Sequence, residues 1–406
     1  MAFRWYNPLS WQFFGYSDPK TGDYVEVDME VGGRRTKSGV RVTAKTAMSI
    51  GIVWSCVKIL SESTAGLPLK LYDDQSGRRE LVKGSDRMLR LLRKPNPYMT
   101  RSNFLKAVVV NMALRGAAFA VIERVDGESG DPIGFIPFRA DQVEVNTDGD
   151  LIYWVTAGGE RFAVSPENML HFKLFSSDGI NGLSPVEHQA ETMGLAKAAQ
   201  DWSARFMRKG GFTGGYVIYE QFLTKEQQVQ VMEKFPDVRK GDVEDIGKMA
   251  ILQGNPKIVP AGMSQKDSQF IESQQFQEEA LAGIWGVPLP LANRASKTSI
   301  MGSNLEQQLS FFVTFGLMPY LNAIEDELND KLFGDKTRFV EFVVEGLLRA
   351  DSTARASYYQ AALGGSGGSG WMTTNEVREK ENLTPLAGEQ YDRVTRWEMQ
   401  NNAQQS

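Results

Sequence analysis

Residues 301–333 carry the longest helical pattern in the chain. Their apolar side chains form two rows at helical spacing, with Leu305, Leu309 and Phe312 in the first and Leu317, Leu321, Ile324, Leu328 and Leu332 in the second. Ser303 and Glu306 have the spacing of a capping box at the start of this helix, and Gly334 marks its end. The spacing of three or four residues is broken between the two rows, near Pro319, which lacks a backbone donor. We therefore predict one long helix with a kink at Pro319, to which the rest of the fold is attached.

The composition of the chain limits the functions that it can have. Its 406 residues suffice for about two or three domains, and its formal net charge is -5. A negative chain does not bind nucleic acid over its whole surface, so any contact with DNA is expected to be local. The single cysteine, Cys56, excludes an internal disulfide. The most apolar window, residues 310–321, is too short to span a bilayer, and we predict no membrane contact.

The first half of the chain predicts an α+β fold with antiparallel strands. Residues 1–44 are polar and aperiodic, and we interpret them as an arm that becomes ordered only against a neighbour. The next helix, which ends at Gly66, carries an apolar stripe of Ala47, Ile50, Trp54 and Val57. Two helices separated by a Pro-Asn-Pro turn follow and end at Gly116. Six short strands come next, with the sequences AFAVIERV, IGFIPFR, QVEVNT, LIYWVT, RFAV and MLHFKLF.

The second half predicts two long helices on either side of a small insert. The first helix begins at Ser184 with a cap, a proline in its first turn and a capping-box acid, and runs to Lys209. The insert contains a strand, a short helix from Thr224 and two more strands. The second long helix ends near Gly286. Beyond the helix of residues 301–333, TRFVEFVVEG predicts a strand that returns to the first sheet, and two capped helices joined by a Gly/Ser stretch form a tail.

The residues that carry most enzyme chemistry are sparse in this sequence. His171 and His188 lie far apart, and with one cysteine they give no zinc site of the usual spacing. The sequence has no G-x-x-x-x-G-K-[ST] motif, and the G-x-G-x-x-G pattern in residues 365–370 follows a helix, so we interpret it as a flexible linker. Two acidic pairs are interpreted as solvated helix faces, namely Glu278 with Glu279 and Asp326 with Glu327. We predict no catalytic residue, no cofactor and no metal, and hence no enzyme.

Six motifs occur in an order that is typical of one protein family. They are IGIVWSCVKILSESTAGLPLKLY, LLRKPNPYMTRSNFLKAVVVNMALRG, GLSPVE, GIWGVPLPLA, SNLEQQLSFFVTFGLMPYLNAIEDELNDKLF and GWMTTNEVREKENLTPLAG. Together they resemble the portal proteins of tailed double-stranded DNA bacteriophages, in the Hong Kong 97-type branch. The resemblance covers nearly the whole chain. It implies a ring, commonly a dodecamer, at one vertex of the capsid, through which the genome is packaged and later ejected.

The resemblance also implies how the chain divides into the parts of a portal subunit. In order these are an N-terminal arm (1–44), a mixed α/β wing (45–183), a first stem helix (184–209), a clip (210–264), a second stem helix (265–286), a tunnel loop (287–300), a long kinked wing helix (301–333), a wing return strand (334–349), a helical crown (350–398) and a disordered tail (399–406).

The implied partners are those of a virion component that is assembled in the host cytoplasm. They are other copies of the chain, the double-stranded DNA in the channel, the terminase large subunit, a head-tail adaptor, and the major capsid and scaffold proteins. The negative net charge agrees with this role, because each phosphate that a protein neutralises adds affinity that would slow sliding DNA. Two alternatives stay open. A nuclease or packaging ATPase is disfavoured by the missing motifs, and a monomeric head-tail adaptor or scaffold module would form no ring.

The implied tunnel loop is the segment where the resemblance places DNA. Pro288 and Pro290 stiffen its first half. Its second half carries small polar side chains and two cations, and the residues expected to face DNA are Asn293, Arg294, Ser296, Lys297 and Thr298. In a ring, Arg294 and Lys297 would form two girdles that contact passing phosphate groups. Charged residues on an ordinary surface loop are the alternative interpretation.

Overall fold

The computed structural model describes residues 33–74, 79–125, 130–147, 149–208, 215–219, 224–227, 250–253, 258–260, 276–292, 302–334, 337–344, 352–365, 369–381 and 383–394. The chain forms two compact units. The first comprises Met1–Ser299 and Thr314–Phe342, and the second comprises Ile300–Val313 and Val343–Ser406. The ten-part division implied by the family resemblance is finer than these two units and stays a prediction.

The described residues contain helices and strands in the mixture expected of an α+β fold. The helices are α1 (Ala44–Met48), α2 (Gly51–Gly66), α3 (Arg87–Arg93), α4 (Arg101–Arg115), α5 (Pro185–His188), α6 (Ala190–Arg208), α7 (residues 276–284), α8 (Gly302–Phe311), α9 (Met318–Leu332), α10 (Ser352–Ala362) and α11 (Thr374–Lys380). The strands are β1 (Arg34–Arg35), β2 (Arg41–Val42), β3 (Leu69–Asp73), β4 (Glu80–Leu81), β5 (Ala117–Arg124), β6 (Pro132–Phe138), β7 (Val143–Asn146), β8 (Ile152–Ala157), β9 (Glu160–Val164), β10 (Met169–Lys173), β11 (Gly215–Tyr219), β12 (Ala250–Gln253), β13 (Ile258–Pro260) and β14 (Arg338–Phe342). Among these described helices, none is both long and apolar enough to cross a bilayer.

The hairpin of β1 and β2 lies within the segment that was predicted to be an arm. Val42 is buried, and the backbone N–H of Lys37 donates to the Glu191 carboxylate on α6 at 3.1 Å. The prediction was therefore wrong for residues 33–44, because strands of two residues are too short to give an alternating pattern in the sequence. Residues 1–32 lie outside the described part of the chain.

Helices α2 and α4 pack against each other and form the centre of the first unit. Their fully buried side chains recur at intervals of three and four residues, and include Ile52, Val53, Cys56, Val57 and Leu60 in α2 and Phe104, Leu105, Val108, Val109 and Met112 in α4. Trp54, predicted to be part of the apolar stripe, is 54% exposed. The predicted stripe required one continuous helix from Ala47 to Val57. The helix is interrupted between α1 and α2, so the buried face of α2 does not continue that of α1.

The predicted strands are confirmed, and they form separate three-stranded sheets. Two antiparallel sheets have the orders β10-β5-β6 and β7-β8-β9. The core between them consists of Ala117, Phe119, Val121, Val143, Tyr153, Val155, Ala157, Val164 and Met169. The predicted return strand is β14, which pairs antiparallel with β3 in the sheet β14-β3-β4. The first unit therefore has one helical centre and several small sheets.

The secondary structure predicted for the first stem helix is partly wrong, whereas the strands predicted for the clip are present. Ser184 caps α5 by accepting from the backbone N–H of Glu187, as predicted, but a turn at Gln189 separates α5 from α6. The prediction of one uninterrupted helix was therefore wrong. In the clip, the three predicted strands form one sheet, with β11 parallel to β12 and antiparallel to β13. The predicted end of the clip helix lies outside the described residues.

Two predicted capping boxes are present in the structure. In the first, the Thr224 backbone N–H donates to the Gln227 side chain at 3.0 Å, and the Gln227 backbone N–H donates back to the Thr224 hydroxyl at 3.4 Å. In the second, Thr373 and Glu376 make the same pair of contacts at the start of α11. Each box satisfies two donors that the first helical turn leaves free, which is why the residue spacing alone predicts it.

The long helix changes its geometry before Pro319 rather than at it. Residues 302–332 are helical throughout, as predicted, but Phe312–Leu317 form a π-helix and Pro319 lies in the first turn of α9. A π-turn joins residues that are five positions apart, and Leu317 is five positions after Phe312. The π-helix therefore accounts for the change of step between the two apolar rows. The helix begins at Gly302, so Ser303 lies inside its first turn.

In the second unit, the residues at the described end of the Gly/Ser stretch contact the end of α10. The backbone N–H groups of Trp371 and Met372 both donate to the Ala362 carbonyl oxygen, at 2.9 and 3.1 Å. A Cβ atom at Gly370 would overlap that same carbonyl group, so the close approach requires glycine. The interpretation of this stretch as a flexible linker was therefore wrong for its described ends. Residues 366–368 lie outside the described part.

Gly116 ends α4 in the left-handed conformation, with φ 79° and ψ -17°, and its backbone N–H donates to the Met112 carbonyl. A Cβ atom at this position would overlap the backbone of Leu183. Gly39 has a similar φ of 82°, but a Cβ atom there would meet nothing within 4 Å. These two glycines therefore separate the effect of backbone conformation from the effect of close packing.

We predict that Gly116→Ala lowers the free energy of unfolding much more than Gly39→Ala does. The left-handed conformation alone costs about 1–2 kcal/mol for a residue with a Cβ, and overpacking against Leu183 adds about 1–3 kcal/mol. Urea denaturation of both variants and of the unchanged protein measures the difference. Equal losses in the two variants would contradict the packing that the structure shows around Gly116.

Candidate functional site

The residues predicted to face DNA lie outside the described part of the chain. They are Asn293, Arg294, Ser296, Lys297 and Thr298. The structure does describe the residues immediately before them, which we call the loop base and define as residues 285–292. The last four of these form a short 3₁₀ helix, Leu289–Ala292, which lies against α2. The loop base therefore fixes the position from which the residues predicted to face DNA begin.

The side chain of Trp285 holds the loop base against the end of α4 through a hydrogen bond. Its side chain is 3% exposed, and Nε1 donates to the carbonyl oxygen of Ala113 at 2.8 Å. A buried indole N–H requires an acceptor, and the last carbonyls of a helix have no partner within the helix. Each group thus satisfies the other. Loss of one partner would leave a buried polar atom unpaired, which costs about 1–3 kcal/mol.

Two other segments bind the same end of α4, which we call the α4 terminus and define as residues 112–116. The Ser184 hydroxyl donates to the Leu114 carbonyl at 3.0 Å, and the Leu174 backbone N–H donates to the Gly116 carbonyl at 3.1 Å. The α4 terminus therefore holds the loop base, the start of α5 and the end of β10 at one place.

The charge at the α4 terminus is also paired. Arg115 Nη1 lies 2.6 Å from Asp141 Oδ1, and the two side chains are only 15% and 8% exposed. Burial lowers the pKa of Arg115, and the nearby carboxylate of Asp141 opposes that shift. Arg139 also contacts Asp141, at 3.1 Å. The ion pair joins the end of α4 to the segment between β6 and β7.

The loop base itself contains no charged side chain, since its sequence is WGVPLPLA. Val287 and Ala292 are buried, and the Leu291 N–H donates to the Pro288 carbonyl at 3.0 Å. Within the described residues, no group of three or more histidine, cysteine, aspartate or glutamate side chains could hold a metal ion. This arrangement can support a loop rigidly, and it offers no acid, base or nucleophile to a reaction.

His171 belongs to a second buried polar cluster, between β10 and α9. Its ring stacks on Phe119 with a centroid distance of 4.4 Å, and Nδ1 lies 3.2 Å from the Tyr153 hydroxyl. The His171 backbone N–H donates to the Glu327 carboxylate at 2.8 Å. Nε2 is buried and has no hydrogen-bond partner among the described residues. The histidine is therefore part of the packing between the sheet and the long helix.

Burial determines the protonation of this cluster. Removal from water lowers the pKa of His171 to about 3, and Lys173 and Lys331 lower it further while Asp178 opposes them. Burial also raises the pKa of Tyr153 to about 12 and raises the pKa of Glu327 above its usual value. The imidazole is consequently neutral in the folded protein at physiological pH.

Sequence reasoning missed two residues that these contacts make important. Glu327 was interpreted as part of a solvated face, but its carboxylate accepts a backbone hydrogen bond, whereas its neighbour Asp326 is exposed as predicted. Glu278 is partly buried and Glu279 is exposed. Trp285 was noted only as part of a motif. A tryptophan between two glycines at the end of a helix was the available signal, but nothing in the sequence indicates its acceptor.

The sequence is similar to those of several known proteins. The sequence profile described as phage portal protein matches residues 52–382. The chain is 32% identical to the portal protein of Enterobacteria phage HK97 over 348 residues, which are 84% of this chain and 80% of that protein. It is 28% identical to the probable portal protein of Streptomyces phage phiC31, over 88% of this chain and 80% of the relative.

Solved structures share the fold at lower identity. An HK97 family phage portal protein from Corynebacterium diphtheriae is 19% identical with a TM-score of 0.54, and the alignment covers 76% of this chain and 98% of that one. A chain from the neck of a native gene transfer agent particle, computed with C12 symmetry, is 22% identical with a TM-score of 0.56 over 84% and 92% of the two chains.

The family match covers most of the chain, and the chain therefore belongs to the phage portal protein family. Portal proteins are virion components at the capsid vertex, where they form the channel for DNA.

We predict that His171 makes the stability of the protein sensitive to acid. Its folded pKa of about 3 lies below the value of 6.5 expected in the unfolded chain, so the unfolded chain binds the proton first as the pH falls. The stability is complete above pH 6.5 and is lost toward pH 3, by up to about 1.4 kcal/mol per pH unit. Burial raises the pKa of Glu327, so this residue also affects how stability depends on pH. Glu327 is kept in every variant, and its contribution is therefore common to all of them.

The measurement is urea denaturation between pH 5 and pH 7. His171→Gln should flatten the dependence on pH, because the titrating ring is gone. His188→Gln serves as the matched control, since His188 is exposed. Identical slopes in the unchanged protein and in His171→Gln would show that the imidazole is not buried as described.

Proposed function

We propose that copies of this chain form a closed ring, a dodecamer, whose central hole passes double-stranded DNA during packaging and ejection. The observation that carries the proposal is the fold shared with a chain from a neck computed with C12 symmetry. Residues 287–300 line the channel as a tunnel loop, supported by the loop base that Trp285 fastens to α4. The DNA would meet small polar groups from Asn293, Ser296 and Thr298. It would also meet two rings of positive charge, formed by Arg294 and Lys297.

The same proposal assigns the docking partners to the clip. The terminase large subunit during packaging, and the head-tail adaptor afterwards, bind residues 210–264. The wing contacts the major capsid and scaffold proteins in the host cytoplasm, where the particle is assembled. The β11-β12-β13 sheet supports this assignment, because it gives the clip a folded framework of its own. A monomeric adaptor or scaffold module is the alternative, and it would form no ring.

Negative-stain microscopy of the purified protein and of a clip variant tests the ring, and binding of each protein to terminase and adaptor tests the role of the clip. Gly215 and Pro260 are paired across the clip sheet, so a short Gly/Ser linker can replace residues 215–260 without separating the two stem helices. We expect end-on rings with a central hole from both proteins, and loss of terminase and adaptor binding from the variant alone. Monomers from the unchanged chain would reject the ring, and loss of rings only in the variant would reject the separate role of the clip.

The tunnel loop is tested by removing its two cations. We predict that the double variant Arg294→Ala with Lys297→Ala keeps its rings and its terminase binding, while packaged DNA enters at a changed rate or is retained less well. The physical reason is the loss of phosphate contacts in the channel. A matched double variant, Arg294→Lys with Lys297→Arg, preserves the charge and should package normally. Unchanged packaging and retention in the alanine variant would count against any contact between this loop and DNA.

A further inference from the structure

The loop after β10 presents an exposed aromatic ring. We call residues 174–183 the aromatic loop. Phe175 in this loop is 76% exposed, which makes it the most exposed large apolar side chain in the described part of the chain. Large aromatic side chains in such positions are typical centres of protein interfaces. The exposed ring is therefore available for contact with another protein surface.

The aromatic loop is rigid because Asp178 organises it. The Asp178 carboxylate accepts hydrogen bonds from the Ser176 hydroxyl, from the backbone N–H groups of Ile180 and Asn181, and from the Asn181 side chain, at 2.7 to 2.9 Å. The Asn181 side chain, then the backbone groups, lower the pKa of Asp178 well below its usual range, so the carboxylate stays charged. A loop that is already ordered loses little conformational freedom on binding.

The base of the loop is equally well fixed. The Leu183 N–H donates to the Phe175 carbonyl at 2.8 Å, which closes the loop. The Leu174 N–H donates to Gly116, and the backbones of Gly116 and Gly182 lie too close to admit a Cβ atom on either. The aromatic loop is therefore attached directly to the α4 terminus, and Phe175 points from a fixed support.

The opposite end of α4 borders a cavity with complementary properties. We call it the basic pocket, and its volume is about 320 Å³. Its apolar lining consists of Leu69, Leu71, Leu81, Val82, Leu89 and Leu92. Its charged lining residues are all basic, namely Lys70, Lys83, Arg93 and Arg101. An apolar floor with a basic rim fits a loop that carries an exposed aromatic ring and, three residues later, an exposed carboxylate.

The two features lie on different sides of one subunit. Arg101 is the first residue of α4 and lines the basic pocket, whereas the aromatic loop binds the residue after its last turn. A helix of 15 residues is about 22 Å long. Phe175 therefore cannot reach the pocket of its own chain. Two different patches at opposite ends are what a head-to-tail contact requires, and a head-to-tail contact that closes makes a ring.

We propose that Phe175 of one subunit occupies the basic pocket of the next subunit in the ring, with Asp178 facing the basic rim. This inference rests on the ring proposed above and adds the residues that join neighbouring wings. The aromatic ring supplies apolar contact with the leucines, and the pairing of charge sets the orientation of the two subunits. The contact repeats at every junction, because each subunit carries both patches.

Disulfide trapping tests the contact directly. Ser177 and Lys83 are exposed at the two patches, and Cys56, the one cysteine of the chain, is 0% exposed. We expect the double variant Ser177→Cys with Lys83→Cys to give a ladder of covalent oligomers on mild oxidation of assembled rings. Each single variant should stay monomeric on a denaturing gel. A mixture of the two single variants should stop at covalent dimers, because each subunit then carries only one introduced cysteine and can be linked to only one neighbour.

Assembly measurements with two further variants test the energetics. Phe175→Ala should raise the protein concentration needed for half-maximal ring formation by about ten-fold or more. Arg93→Glu should also weaken assembly by reversing one rim charge, whereas the matched variant Arg93→Lys should assemble as the unchanged protein does. Mass photometry over a concentration series measures all three. Circular dichroism of the dilute proteins checks that each variant is folded.

The outcomes separate this contact from the ring itself. Rings that form at the normal concentration from Phe175→Ala, together with no ladder from the double cysteine variant, would overturn the contact and leave the ring intact. Normal rings from Phe175→Ala that fail to bind another virion protein would assign the aromatic loop to that partner and would also overturn the contact. An unchanged chain that forms no rings at any concentration would overturn both proposals.

Discussion

The carbonyl groups at the α4 terminus are the constraint on which the first unit depends. A helix end that is buried must find partners for its last carbonyls outside the helix. Here Trp285, Ser184 and Leu174 supply donors to Ala113, Leu114 and Gly116. Because a buried carbonyl without a donor is costly, these contacts fix three distant segments relative to one helix. The direction of the loop base and the support of the aromatic loop follow from the same few hydrogen bonds.

The sequence predicted the features that depend on neighbouring residues. The end of α4 at Gly116, the capping boxes and the strand segments all require particular residues within a few positions of each other, so one sequence is enough to find them. The contact of His171 with Glu327 spans 156 residues, and that of Trp285 with Ala113 spans 172. No local pattern encodes such pairs. The sequence therefore predicted where the loop base lies in the chain, but it did not predict the contacts that hold the loop base in place.

The long helix shows how one local signal can have two physical explanations. A step of five residues between the apolar rows and a proline nearby were both visible in the sequence. Proline was taken as the cause, because it removes a backbone donor and crowds the preceding turn. The structure places a π-helix at the step itself, in Phe312–Leu317. A π-turn accommodates one additional residue without ending the helix, so the apolar face continues beyond it.

The contact between Trp285 and Ala113 also sets the order of events during synthesis. The tryptophan follows its acceptor by 172 residues, and a ribosome that adds about 5–20 residues per second needs roughly 10–30 s to make that length. During this interval α4 is complete, but the indole that donates to the Ala113 carbonyl has not yet been made. The hydrogen bond that attaches the loop base to the α4 terminus can therefore form only after Trp285 has been synthesised, and a nascent chain truncated before Trp285 lacks this donor.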